Sequence, residues 1–277
     1  MSSVYERCIR PGPMTPAAGR VSMSSEKNNQ GVKGEHSGGH GGLPDTPGPT
    51  VAGLKEALDR AEKKLQVVGS VTRHDVLNQM TAIMGYNELL RTMVDDKKLL
   101  HFLEIEHRAS EKIRRIFAYS KVFQNIGSEA PVWQELARLV WQAREEIDTG
   151  TVAVLVDNGT ASIYADPLVF KVFAYILENA VCHGKKTTEI RIRLEPADHG
   201  VILSLEDNGV GVAPEDKEKI FEKGFGKNTG WGLYIAREIL AANHMQIRET
   251  GTAGTGACFE ILVPSGRVRT GPGAPLQ

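Results

Sequence analysis

From Val51 onward the apolar residues recur at helical spacing. Leu54, Leu58, Ala61, Leu65 and Val68 are separated by four, three, four and three positions, the seam of a coiled coil. The stripe continues through Leu77, Met80, Ile83, Met84, Leu89, Leu90, Met93 and Val94. It predicts a helix over about 53–94, roughly 60 Å long at 1.5 Å per residue. A helix of that length with so narrow an apolar stripe is not stable alone. The "DDKK" at 95–98 reads as a reversal. A second amphipathic stretch follows through Leu99, Phe102, Leu103, Ile105, Ala109, Ile113, Ile116, Phe117 and Phe123. Two such helices form a hairpin, and two hairpins form a four-helix bundle, so the seam implies a homodimer.

The helical period stops at "NIGSEAP" (125–131), which reads as a linker. Alternating, strand-like runs follow: "TVAVLVD", "EIRIRLE" (189–195), "VILSLED" (201–207), "MQIRET" (245–250) and "ACFEILVP" (257–264). Helical stretches are predicted at 132–147, 167–182 and 231–242. Strands with interspersed helices predict a sheet with helices packed on one face. The fold class expected is multi-domain, α then α+β: a dimerisation hairpin at 51–127 and a two-layer α/β sandwich at 128–265, with a flexible tail at 266–277.

Residues 1–50 differ from the rest. They hold nine Gly and six Pro, and Ile9 and Leu43 are their only Leu, Ile, Phe or Trp. Such a segment cannot bury enough apolar surface to offset its chain entropy and is expected to be a disordered tail. His36 and His40 in "HSGGHGG" could bind a metal weakly, but the composition is that of a flexible tail. The segment is also too polar to be a sensor domain. Lys and Arg number 33 against 34 Asp and Glu, a net charge of -1 that offers no footprint for nucleic acid. Cys8, Cys182 and Cys258 are scattered, form no CxxC pair and fit a reducing cytoplasm. No run approaches 18 apolar residues, so no membrane span is expected.

Chemistry concentrates in three segments of the C-terminal half. "ILENAVCHG" places Asn179 late on a helix. "DNGVG" puts Asp207, Gly209 and Gly211 just after a strand. "GFGKNTGWGL" brings Lys227, Thr229, Gly230, Gly232 and Leu233 to the start of another helix. A glycine-rich loop entering a helix exposes N–H groups that suit phosphate oxygens. A carboxylate at a strand end can accept from an exocyclic amine, and glycines beside it let a flat base approach the backbone. An Asn oxygen is a hard ligand that suits Mg²⁺.

In this order, the segments make the chain resemble the sensor histidine kinases of two-component signalling, whose ATPase domain is shared with gyrase and Hsp90-type chaperones. The resemblance covers about 53–264. It implies ATP and Mg²⁺ as the cofactors, with Asn179 as the Mg²⁺ ligand of the N box and Asp207 as the adenine-binding aspartate of the G1 box. "KIFEKGF" (219–225) is similar to the F box, with Phe221 at its aromatic position. Gly230, Gly232 and Leu233 resemble the G2 box under the triphosphate, and Thr255 with Gly256 the last box near the adenine. Two positions depart from the pattern. Tyr175 stands at the first N-box asparagine, and Cys182 at the N-box lysine. His183, Lys185, Lys186 or Lys227 could supply the missing positive charge.

Upstream, "TRHDVLNQM" sets His74 midway along the first long helix, beside Asp75. A neutral imidazole is a good nucleophile near pH 7. An acidic neighbour can hold the proton of one ring nitrogen and steer the other toward a γ-phosphate. The resemblance implies that His74 accepts the phosphoryl group and passes it to an aspartate in the receiver domain of a response regulator, the expected partner. Asn78 stands where the family's Thr or Asn orients water in phosphatase action, while Gln79 fits an HDxxxQ form of the same idea. Two other readings stay open on the residues alone: a dimeric phosphotransfer scaffold with a weakened ATP site, and a serine kinase of the anti-sigma type.

Overall fold

The computed structural model describes residues 50–157, 160–226 and 228–269. Residues 1–49 with His36 and His40, residues 270–277 and the candidate Lys227 lie outside the described residues; of the tail expected at 266–277, Val268 and Arg269 are instead paired in a strand, with Val268 buried.

Helix α1 spans Val51–Met93 and α2 spans Lys97–Gln124, close to the limits the apolar spacing predicts. The reversal between them is set by Asp96. Its backbone is extended, and its carboxylate accepts from the N–H groups of Lys98 at 2.7 Å and Leu99 at 3.0 Å. These are donors that no helical carbonyl can reach. Asp96→Ala is expected to cost about 0.5–2 kcal/mol of stability, read as a lower urea midpoint without loss of far-ultraviolet helicity.

By compactness the chain divides at Val68. In the unit before it, Leu54, Leu58 and Leu65 of α1 face solvent in the single chain. In the unit after it, the remainder of α1 runs with α2. Asn87 is buried there and donates to the Leu103 carbonyl at 2.8 Å and to Glu106 at 3.0 Å. Arg91 pairs with Glu104 at 3.2 Å. Ile83, Tyr86, Leu89 and Leu90 of α1 and Leu99, Phe102 and Ile105 of α2 remain exposed. The apolar stripe of the hairpin is therefore only partly used within one chain.

The C-terminal part is two-layered. Strands β2 (Ala153–Val156), β4 (Glu189–Ala197), β5 (Gly200–Asp207), β6 (Gln246–Glu249) and β7 (Cys258–Pro264) form a sheet in the order β2-β4-β5-β7-β6. Only β2 and β4 pair in parallel. Helices α3 (Leu136–Glu146), α4 (Phe170–His183) and α5 (Gly232–Ala242) supply the other layer. Alternation decides which side chains go inside. Ile190 and Ile192 of β4 and Val201, Leu203 and Leu205 of β5 are buried against Phe173, Ile176, Leu177, Ile235 and Ile239. The next inward position on β5 is Asp207. The period that builds the core thus carries a carboxylate to its edge.

Three strands escape the periodicity. The stretch expected to be helical from 132 begins instead with β1 (Val132–Glu135), and α3 starts only at Leu136. β1 pairs antiparallel with β3 (Ser162–Ala165), which pairs with β8 (Val268–Arg269). Strands of two to four residues are too short to show a period, and their partners lie far along the chain. The 125–131 segment is also more ordered than a free linker. Gly127, with φ +72°, donates its N–H to the buried Asp166 carboxylate at 2.7 Å.

Candidate functional site

Asp207 is only 6% exposed. Its Oδ1 accepts from the N–H of Gly209 at 2.7 Å and of Ala257 at 3.3 Å, which leaves Oδ2 for another donor. Burial raises its pKa above the ordinary 3.8, outweighing the two backbone hydrogen bonds that lower it, and the charges of Glu249 and Glu206 push the same way as burial. The neighbouring Asn208 fixes the turn: its side-chain oxygen accepts from Thr188 and Glu189 at 2.9 and 3.2 Å. Gly211 sits at φ +67°, where a Cβ would stand 2.7 Å from the carbonyl oxygens of both Gly256 and Thr252. A Cβ at Gly256 would collide with the Asp207 carbonyl oxygen. Asp207 and the buried Gly209 and Gly256 are thus brought together with the half-buried Gly211 around one buried acceptor.

Along α4, Asn179 is half-buried, and its side chain makes no hydrogen bond among the described residues. His183 ends the helix, with Nε2 at 3.4 Å from the Asn228 amide, so the end of α4 meets the glycine-rich loop. That loop closes on itself where Gly230, at φ +66°, accepts from the Gly224 N–H at 2.9 Å. The buried Thr229 hydroxyl accepts from the Trp231 N–H at 3.4 Å. α5 then starts at Gly232 with no side-chain cap, and Leu233 anchors its first turn in the core. An uncapped helix start of this kind presents donors and the positive end of the dipole.

Two candidates are placed differently from the expectation. Phe221 is buried edge-on against Phe259, with the Arg237 guanidinium 6.0 Å from its ring, so it holds the loop rather than facing it. Thr255 is exposed and donates to the Thr252 carbonyl at 2.9 Å within its own turn. The groups that reach Asp207 from this segment are the backbones of Gly256 and Ala257. No side-chain type could signal that.

His74 lies on α1 with its side chain 73% exposed. Its Nδ1 is 3.1 Å from Asp75 Oδ1. This contact assigns the proton to Nδ1 and leaves the Nε2 lone pair outward. The Asn78 amide nitrogen stands 3.3 Å from both ring nitrogens, which places it over the ring face rather than in its plane.

Sequence reasoning missed what joins the two segments. Arg115 and Tyr119 of α2 meet Glu178 of α4, next to Asn179, at 3.4 and 3.3 Å. Burial raises the Glu178 pKa against the opposing effects of Arg115 and the Tyr119 hydroxyl. Burial first, and the Glu178 charge second, push Tyr119 up as well. Tyr175 packs edge-on against Tyr119 at 5.4 Å, so this departure from the N-box pattern serves the contact with α2. The last turns of α2 touch both candidate centres. Gln124 accepts from Arg73, the neighbour of His74, at 2.8 Å, and Phe123 stacks on Tyr234 of the first turn of α5 at 6.1 Å.

Residues 165–267 match the family described as histidine kinase-, DNA gyrase B- and HSP90-like ATPase. The signal transduction histidine-protein kinase AtoS of Escherichia coli is 29% identical over 204 residues, covering 69% of this chain and 33% of the relative. Sporulation kinase E of Bacillus subtilis is 27% identical over 229 residues, 76% of this chain and 30% of the relative. The chain therefore spans about a third of the length of these relatives. Full-length ShkA, solved in complex with AMPPNP, shares the fold with a TM-score of 0.54 at 21% identity, over 75% of this chain and 47% of that one. The relatives favour the kinase reading over a vestigial scaffold or an anti-sigma-type serine kinase.

Proposed function

We propose that this chain is a sensor histidine kinase, its match to the ATPase family falling at residues 165–267, and that it moves the γ-phosphoryl group of ATP onto His74 and from there to an aspartate of a response regulator. The observation that carries this reading is an exposed imidazole, oriented by Asp75, in one chain with the buried acceptor Asp207. In the proposed division of labour, 51–127 is the dimerisation and phosphoacceptor hairpin and 128–265 is the ATP-binding domain. Asp207 accepts from the exocyclic amine of adenine, and the N–H groups at the start of α5 receive the phosphates. Among the described residues no group of three or more His, Cys, Asp or Glu side chains could hold a metal ion. The unpaired amide of Asn179 suits Mg²⁺, which takes one or two protein oxygens and the rest from phosphates and water. Bound there, the ion would offset phosphate charge.

The nucleophile is His74 Nε2, and it needs in-line access to the γ-phosphorus. Asp75 keeps the Nδ1 proton and stabilises the positive charge that builds on the ring as Nε2 bonds to phosphorus. Among the described residues no helix is long and apolar enough to cross a membrane. Incubation of the chain with Mg²⁺ and γ-labelled ATP is expected to leave acid-labile, base-stable label on His74; label stable to acid would overturn the reading.

The same proposal makes the chain a homodimer, because Ile83, Tyr86, Leu89, Leu90, Phe102 and Ile105 stay exposed in one copy. Light scattering at micromolar concentration should give twice the chain mass. Leu89→Glu combined with Phe102→Glu should shift the mass to that of one chain, and a monomeric wild type would remove this part of the reading.

A further inference from the structure

A cleft of about 450 Å³ lies where the last turns of α2 face the end of α3 and the start of α4. That volume is in the range of small-molecule sites, which favour places where two parts of a protein meet. Its apolar walls are Ala118 and Val122 of α2, Ile147 at the end of α3, and Leu168 and Phe170 where α4 begins. Five charged side chains also line it. Four of them are matched in pairs: Arg115 stands 3.4 Å from Glu178, and Lys171 stands 2.6 Å from Glu146. The fifth, Lys121, has no carboxylate partner among the described residues. The cleft therefore holds one positive charge in excess. Two neutral polar groups lining it are also unused. Tyr175 is only 8% exposed, yet its hydroxyl makes no hydrogen bond among the described residues, and neither does the side-chain amide of Asn125. Burial first, and then the charges of Tyr119, Glu146 and Glu178, raise the Tyr175 pKa well above the ordinary 10, so the hydroxyl keeps its proton and remains a donor. A buried donor without a partner costs free energy until a ligand or water accepts from it.

We propose that this cleft is an effector site for a small organic monoanion with an apolar body, its carboxylate or sulfonate received by Lys121 with Tyr175 and Asn125 as hydrogen-bond donors. The class follows from the lining. A polyanion would set its further charges against Glu146 and Glu178, whose own cations are already engaged. A neutral apolar molecule would leave Lys121 and the Tyr175 hydroxyl without partners. An organic cation would meet two carboxylates that are already matched and one lysine that repels it. The apolar body covers Val122, Ile147, Leu168 and Phe170, and burying it supplies the larger share of the affinity. Because such a ligand touches α2 on one side and α3 and α4 on the other, it favours the arrangement in which they face each other. On the proposed function, occupancy then slows phosphoryl transfer to His74.

The probes are dansylglycine, a fluorescent monoanion with an apolar ring system, and dansylamide, which shares the rings and lacks the carboxylate. Titrated into the full chain, dansylglycine should bind one per chain, with brighter and blue-shifted emission, and more tightly than dansylamide. Lys121→Gln should weaken dansylglycine about 2–5-fold, the range of one partly exposed charge, and leave dansylamide unchanged. Tyr175→Phe should weaken dansylglycine about 2–10-fold, the range of one net hydrogen bond. Ala118→Trp, at an exposed position of α2, should fill the cleft and abolish binding while keeping wild-type helicity. No binding by the wild type, or equal affinity for the two probes, overturns the proposal without needing any variant to fold. Undiminished binding in both Ala118→Trp and Lys121→Gln also overturns it, by placing the probe on the apolar stripe of the hairpin instead. Saturating dansylglycine should slow labelling of His74 in the wild type and not in Ala118→Trp; binding without that slowing overturns the effector role. Absence of any labelling would instead remove the kinase reading, and the binding comparisons would still decide the site.

Discussion

Replacing His74 by alanine is expected to abolish phosphoryl transfer to the chain while leaving its affinity for ATP unchanged. The imidazole is 73% exposed and makes its polar contacts with Asp75 and Asn78 on its own helix, so truncation removes a nucleophile without opening a cavity. Asp75→Asn keeps the shape but not the charge that holds the Nδ1 proton. It should slow labelling by roughly 10²–10⁴-fold, the usual worth of a positioned acid–base group. Asn78→Ala should leave labelling intact and retard loss of phosphate from a response regulator, the role that the family resemblance implies for this position, where the amide nitrogen stands 3.3 Å from both ring nitrogens. The measurement is phosphate incorporation from γ-labelled ATP alongside nucleotide calorimetry on the same preparations. Label that persists in His74→Ala would show that another residue is the acceptor.

The second large effect is expected at Asp207. Asp207→Asn should weaken ATP binding by about 1–3 kcal/mol, the scale of a charge-assisted hydrogen bond, and should weaken GTP less. Burial raises the pKa of this carboxyl above 3.8, so ATP affinity should begin to fall at a pH above the ordinary aspartate range as the acceptor is protonated. The asparagine variant should lack that step. For the nucleotide-free protein the sign is opposite. A carboxyl whose folded pKa is raised contributes stability that is complete below its unfolded pKa and lost as pH rises through the folded one. Asp207→Asn should therefore remove a fall in stability with rising pH while also removing the pH dependence of binding. Equal losses for ATP and GTP would show that Asp207 does not read the base.

In this structure the ATPase part rests on α2 through Arg115, Tyr119 and Phe123, and the 125–131 segment is pinned to Asp166. On the proposed function, movement of the nucleotide toward His74 would loosen some of these contacts. The Arg115–Glu178 pair is largely withdrawn from water, so separating its members leaves each charge to be resolvated.

The hairpin could be read from spacing alone, because the apolar residues of a long helix repeat within a few positions of one another. Asp207 was legible from its motif, a carboxylate followed by glycines at a strand end, while the structure shows that it also continues the inward alternation of Val201, Leu203 and Leu205. The glycines beside it were legible as a cluster, though only the structure shows Gly211 at φ +67° and Gly256 crowded against the Asp207 carbonyl. The strands β1, β3 and β8 were not legible, since two to four residues carry no period and their pairing joins segments some 30 to 100 positions apart. Thr255 was chosen from its motif, yet the neighbouring backbone of Ala257 makes the contact, and a backbone N–H is the same whatever the side chain. The union of Arg115, Tyr119 and Tyr175 with Glu178, and the cleft that Lys121 and Asn125 line beside them, depend on how distant surfaces meet. Local periodicity determined the elements and the residues able to do chemistry; tertiary packing decided which of those residues are desolvated together, because burial is a property of neighbours and not of sequence position.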